Sequence, residues 1–312
     1  MYCKKCGYNI SDDKLVCPFC NTVVEKENKY SDYVKLDETK EANGIRNNLG
    51  YVKLKTNWFL HILIACAGYL AMNVLFTVVS AILIAYYRSA GNDFSCVSQG
   101  NCSMEINNLV NKITAISQVI SELFIVAIVI LIFHKHIKTF FKNFKDKKTY
   151  KWYGIGLAIM YGFNFVYSIF LMLLDSSGSS TNQEGVNTIL KTYPLLGFFF
   201  VVIAAPLFEE IIFRFGIFRA FTHKGKKAEV LGLILTTVLF AGVHLIATFE
   251  AVFADPAWPN WEIFKEDALS IPIYLSGAFA MTFAYYKSKN LNTSILMHLT
   301  WNFLAFISIM TS

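Results

Sequence analysis

Apolar residues gather into seven long runs, and these organise the chain before any single residue does: Trp58 to Tyr87, Val110 to Phe133, Trp152 to Leu174, Pro194 to Phe213, Val230 to Phe249, Leu269 to Tyr286 and Leu291 to Ile309. A run of about 20 apolar residues wound as an α-helix crosses a hydrocarbon layer of about 30 Å. The pattern predicts an all-α polytopic membrane protein with about seven transmembrane helices. Ahead of the runs lie a cysteine-bearing head, residues 1–24, and a polar linker, residues 25–57, whose mixed charges (Glu25-Lys26-Glu27, Asp37-Glu38-Thr39-Lys40) offer little to bury. No secretory signal is expected, because the first apolar stretch begins only near Trp58 and lacks a small-residue cleavage site. The membrane part divides into residues 58–193 and residues 194–312, the second carrying the candidate chemistry.

Composition narrows the class further. Of 312 residues, 55% are hydrophobic and 16% charged, against a usual charged share of about 25%. That excludes an ordinary soluble domain, and with 17 Gly and 6 Pro the chain is neither collagenous nor low in complexity. The net charge of +6 does not point to nucleic acid, because in a membrane protein Lys and Arg collect in cytoplasmic loops. Here 24 of the 28 basic residues fall in alternate segments: the head and linker, Lys135 to Lys151, Arg214 to Lys227, and the Lys287/Lys289 pair. The intervening loops hold only Arg88, Lys112, Lys191 and Lys265. The head is therefore expected in the cytoplasm and the C-terminus outside, in what reads as a bacterial cell membrane. Glu250 to Asp267, rich in acid and in Trp, reads as an outer loop or an interfacial segment.

Seven cysteines add a metal. Cys3-x-x-Cys6 and Cys17-x-x-Cys20 can place four thiolates around one tetrahedral Zn(II). A head this short cannot bury a core, so the ion would supply most of its folding free energy. This structural zinc ribbon resembles those at the N-termini of many bacterial proteins, and it would dock a cytoplasmic protein partner or cap the terminus. Two redox dithiols are the weaker reading, since no βαβ pattern surrounds either pair. Cys96 and Cys102 fall on the outer side, as a small disulfide loop or as two thiols. Cys66, inside the first run, reads as core.

An ionisable side chain at mid-membrane costs about 2.5–3.5 kcal/mol even on lenient scales, so such residues mark function by default. The fourth run contains Glu209-Glu210-Ile211-Ile212-Phe213-Arg214. Glu210 and Arg214 share a helical face, whereas Glu209 points about 100° away. One carboxylate is thus neutralised by its own helix and the other is free to face a cavity. The fifth run carries Phe240 and His244, and the seventh His298 and Asn302, each pair spaced i, i+4. Counted from the cytoplasmic ends at 1.5 Å per residue, Glu209, His244 and the His298/Asn302 pair lie about 20, about 22 and roughly 12 to 18 Å deep. They can meet. His61 at the membrane edge, and His134, His136 and His223 in or beside basic loops, read as structural; Glu122, placed near the outer end of the second run, reads as solvated or paired.

Glu209-Glu210-x-x-x-Arg214, Phe240-x-x-x-His244 and His298-x-x-x-Asn302 resemble, in order, the E-E-x-x-x-R, F-x-x-x-H and H-x-x-x-N/D motifs of the CPBP intramembrane proteases, the group that includes the CAAX prenyl proteases. The resemblance covers roughly Pro194 to the end, so that 194–312 would be the protease core, and Gly277 to Leu296 is similar to the family's small-residue helix. It implies hydrolysis of a peptide bond in a membrane-associated peptide or protein. Glu209 would be the general base on a water held also by His244. His298 and Asn302 would donate to the oxyanion, Glu210 with Arg214 would fix the helix and its electrostatics, and Phe240 would shape the cavity. Glu209, His244 and His298 could also form a His2Glu zinc set; the metal-free Glu/His pair is the reading preferred. Many bacterial relatives are linked to peptide maturation or bacteriocin immunity, so prenylated substrates are not assigned.

Two rival readings stand beside this. Paired carboxylates and His in mid-span also build proton relays in transporters, though these carry internal repeats that inspection does not find here. A non-catalytic bacteriocin-immunity or scaffold protein on the same fold would keep these residues for structure alone.

Overall fold

The computed structural model describes residues 56–99, 101–176, 180–255 and 257–312, together with Cys6 and Cys20. The chain divides into a unit Met1–Arg46 and a unit Asn47–Ser312, and the architecture below is that of the second. The expected zinc ribbon depends on Cys3 and Cys17, which lie outside the described residues.

The described residues form helices and no strand. In chain order they are α1 (Trp58–Ser89), α2 (Met104–Ile132), the short α3 (Ile137–Asn143), α4 (Lys147–Leu173), α5 (Thr181–Thr192), α6 (Pro194–Lys224), α7 (Lys226–Val243), α8 (Ile246–Val252), α9 (Trp261–Ala268), α10 (Ile271–Ser288) and α11 (Leu291–Thr311). Their starts are written in polar side chains that satisfy otherwise orphaned N–H groups. Asn57, Ser103, Asp146, Ser180, Asn260 and Asn290 each accept a backbone N–H at the head of the helix that follows. Pro194 opens α6, where its missing N–H costs nothing.

Five helices, α1, α2, α4, α6 and α11, are long and apolar enough to cross a bilayer, and the count is seven if α7 with α8 and α9 with α10 are each one bent span. The bends are 44° and 47°. The fifth apolar run, read as one helix from Val230 to Phe249, thus breaks just after His244. The fourth run, read as ending at Phe213, continues as helix to Lys224.

Large apolar residues such as Leu70, Val74 and Ile82 on α1, Phe165 on α4 and Val230 on α7 point outward. An apolar surface this extensive suits hydrocarbon, not water. Cys66 belongs to it: the side chain is exposed on the outer face of α1, and not in the core as expected. Cys96 and Cys102 form a disulfide.

Inside the bundle, α10 lies between α4 and α7. Ala278, Ala280 and Ala284 on α10 are buried, and such small side chains let helix backbones approach where no water drives them together. Helix α1 packs on α2 and on α6. There a Cβ at Gly216 would stand 2.8 Å from the Ala65 Cβ, so only glycine permits that contact. At the far end of α10, Asn290 donates to Asn143 O (2.9 Å) and Thr149 Oγ1 (2.6 Å), tying the start of α11 to the α3–α4 turn.

Candidate active site

The site grows out of an irregular helix. Over Phe198–Ala204 and again over Glu210–Phe218 the backbone of α6 winds with i→i+5 bonds, around an ordinary α-turn at Ala205–Glu209. Such wide turns are rare and concentrate at functional sites. Pro206 explains part of the pattern, since a proline inside a helix lacks an N–H and clashes with the preceding turn. Ala205 N–H bonds Phe200 O; the next donor in that register, due at Val201 O, would be residue 206, which has none. Asn302 takes its place. Its Nδ2 donates to Val201 O at 2.7 Å, so the second half of the last motif is held by a carbonyl that Pro206 leaves open.

Glu210 and Arg214 are both fully buried, with Arg214 Nη1 2.8 Å from Glu210 Oε1. The guanidinium also donates to Ala278 O (3.3 Å) and lies 4.6 Å from the Phe240 ring centroid. Glu210 is therefore a charged group that can only accept hydrogen bonds. His298 Nδ1, 3.0 Å from Glu210 Oε1, must then carry a proton. The other ring nitrogen, Nε2, faces Glu209 Oε2 at 3.5 Å. One imidazole thus bridges the two neighbouring carboxylates.

Glu209 has no such counter-ion on its own helix and lines a cavity of about 350 Å³ together with Phe240, His244, His298, Trp301 and Asn302. His244 sits at the break between α7 and α8. Its Nδ1 lies 2.8 Å from Phe240 O, which accepts the Nδ1 proton, so that in a neutral ring Nε2 is the lone pair. Phe240 is wedged against Phe213, His244 and His298 with centroids 5.1, 4.8 and 5.8 Å away. The structure therefore brings Glu209, His244, His298 and Asn302 to one cavity, with Glu210 and Arg214 packed beside it and out of it.

Several lining residues were not singled out from sequence. Tyr274 stacks 4.5 Å from His244 and its hydroxyl bonds Ser180 Oγ at 2.9 Å, linking the site to the start of α5. That start is held by Asp267, whose carboxylate accepts Thr181 N–H (3.0 and 3.2 Å) and Thr248 Oγ1 (2.6 Å). Glu122 corrects an expectation. It lies well inside α2 and not near its outer end, is 3% exposed and paired with Gln118 rather than solvated, and reaches the same cavity with Gln118. The i, i+4 spacing of Gln118 and Glu122 in an apolar run was the only signal. The four other histidines lie elsewhere. His61 is buried between Thr56 Oγ1 (3.0 Å) and Phe215 O (2.7 Å).

Among the described residues, no group of three or more His, Cys, Asp or Glu is placed to hold a metal ion. Glu209, His244 and His298 share a cavity without converging as a ligand set.

Residues 191–304 match the family model described as type II CAAX prenyl endopeptidase Rce1-like. The curated relatives include UPF0177 protein YvdC of Lactococcus lactis subsp. lactis (strain IL1403), 25% identical over 47% of this chain and 48% of its own length. Another is membrane-embedded CAAX protease MroQ of Staphylococcus aureus (strain USA300), 26% identical over 51% of this chain and 58% of its own. The chain spans about half the length of the curated relatives it matches. No solved structure matches it. The motif-bearing helices now have both a geometry and a family match, and through residues 191–304 the chain is similar to the CAAX prenyl endopeptidases.

Proposed function

We propose that this protein is an intramembrane endopeptidase that hydrolyses a peptide bond of a membrane-associated peptide or protein by a metal-free, Glu209-activated water. The observation that carries the reading is the division between adjacent carboxylates. Glu210 is neutralised by Arg214 at 2.8 Å, while Glu209 faces the cavity with His298 Nε2 3.5 Å away.

Two acceptor lone pairs cannot face each other, so one proton lies between Glu209 Oε2 and His298 Nε2. With that proton on His298, Glu209 is a free base. A water held between Glu209 and the His244 Nε2 lone pair gives its proton to Glu209 as its oxygen attacks the scissile carbonyl carbon. The carbonyl π electrons move to oxygen, where His298 Nε2–H and the second N–H of Asn302 donate to the oxyanion. Collapse breaks the C–N bond, and the proton on Glu209 passes to the departing amine. Water and peptide are consumed, acid and amine leave, and Glu209 returns to its starting state.

In this reading the N-terminus is cytoplasmic and the C-terminus outside, and a structural Zn(II) at Cys3, Cys6, Cys17 and Cys20 holds the head. The test compares wild type with Glu209→Gln, His244→Ala and the control Arg88→Gln, an exposed residue in the last turn of α1, in lipid nanodiscs against short membrane-anchored peptides. Wild type and control should cut, and both site variants should fold and be inactive. Cleavage by no folded form, with the cellular phenotype kept in the site variants, would leave these residues a structural role.

A further inference from the structure

The cavity contains a second carboxylate that the mechanism does not use. Glu122 is buried on α2 and lines the cavity that Glu209 lines. Its Oε1 accepts Gln118 Nε2 at 2.8 Å, and Gln118 Nε2 also lies 3.8 Å from Met72 Sδ. The carboxylate is therefore held in one orientation, yet its Oε2 is buried with no partner among the described residues. A buried carboxylate oxygen left unpaired is costly, and two carboxylates on one cavity disfavour each other's charge until a proton or a cation joins them. The residues lining the cavity include no Lys or Arg. Arg214, the buried guanidinium on the helix that carries Glu209, is already bound to Glu210. His298 already stands between Glu209 and Glu210, so a cation that reaches Glu122 comes from outside the site.

We propose that Glu122, oriented by Gln118, is a specificity residue that binds a basic side chain, Lys or Arg, of the peptide substrate near the scissile bond. This rests on the cavity being the substrate site of the proposed protease. A charge-assisted hydrogen bond to a buried carboxylate corresponds to a preference of about 10- to 100-fold for the basic peptide over an isostere without charge.

Binding and cleavage are read separately. Acylated peptides that differ only by Lys or norleucine at one position, scanned along the sequence, are titrated into the full-length Glu209→Gln protein in nanodiscs. The signal is fluorescence, Trp301 being part of the cavity wall. At one position the Lys/norleucine affinity ratio should reach at least about 10, fall to about 1 with added Glu122→Gln, and invert in favour of a Glu peptide with added Glu122→Lys. A ratio near 1 at every position overturns the proposal, as does a ratio that survives Glu122→Gln in protein with an unchanged melting curve. If the ratio is found but protein with Glu209 intact cuts neither peptide, the subsite stands and the protease reading falls. If cleavage is found with no Lys preference, the reverse holds.

Discussion

Replacing Arg214 by Met removes one partner of a pair that has no contact with water. Both side chains are fully buried and their nearest atoms are 2.8 Å apart. Charge centres about 4 Å apart attract by about 4 kcal/mol at an effective dielectric of about 20. Removing the cation also strands the Glu210 carboxylate, and breaking such a buried pair costs about 3–5 kcal/mol. Glu210→Gln strands the guanidinium instead, but Ala278 O and the Phe240 ring still hold it, so the loss should be smaller. The double variant Glu210→Gln/Arg214→Met removes both charges, while the side-chain amide oxygen introduced at position 210 can still accept His298 Nδ1–H. It should recover at least about 2 of the lost kcal/mol, as buried pairs replaced together often do. The assay is equilibrium unfolding of the four proteins in bicelles as a double-mutant cycle. A single Arg214→Met cost below about 1 kcal/mol, or a double variant no more stable than the worse single one, would refute the argument.

Asn302→Ala should lower kcat by about 100-fold while leaving KM little changed, as loss of one oxyanion donor does; an unchanged kcat in single-turnover cleavage would remove Asn302 from the chemistry. Gly216→Val drives a side chain into Ala65 and should cost about 1–3 kcal/mol of stability, read in the same unfolding assay, with Ala65→Gly restoring part of it. Asp267→Ala frees the α5 N-terminus and Thr248, and hydrogen exchange should speed up over Thr181–Thr192 before anywhere on α10. One Zn(II) per chain should be found by elemental analysis of the full-length protein and be lost in Cys3→Ser, with cleavage by the membrane core retained.

The long runs were legible because a bilayer demands them, and the Glu209/Glu210 division was legible because i, i+4 and i, i+1 geometry is local. What local pattern could not carry was tertiary. The apolar residues continue through His244 and Leu245, so nothing marked the break that turns α8 away. Glu122 was misplaced because its importance depends on α2 packing beside α6, which no spacing within α2 records. Cys66 looked like core because a membrane protein is apolar on both its inner and outer faces, and sequence alone does not tell lipid from interior. The i→i+5 turns of α6 depend on what packs around them, although Pro206 marked the place.

The bond between Asn302 and Val201 gives the bundle a register key. In hydrocarbon a carbonyl without a donor has no water to fall back on, and Asn302 is the α11 side chain that reaches the carbonyl Pro206 leaves open. Sliding or turning α11 by a single residue would uncouple Asn302 from Val201 and His298 from both carboxylates at once. Correct docking of that helix and the meeting of Glu209, His298 and Asn302 on one cavity are then the same event, so a misregistered bundle also loses the cavity's polar wall.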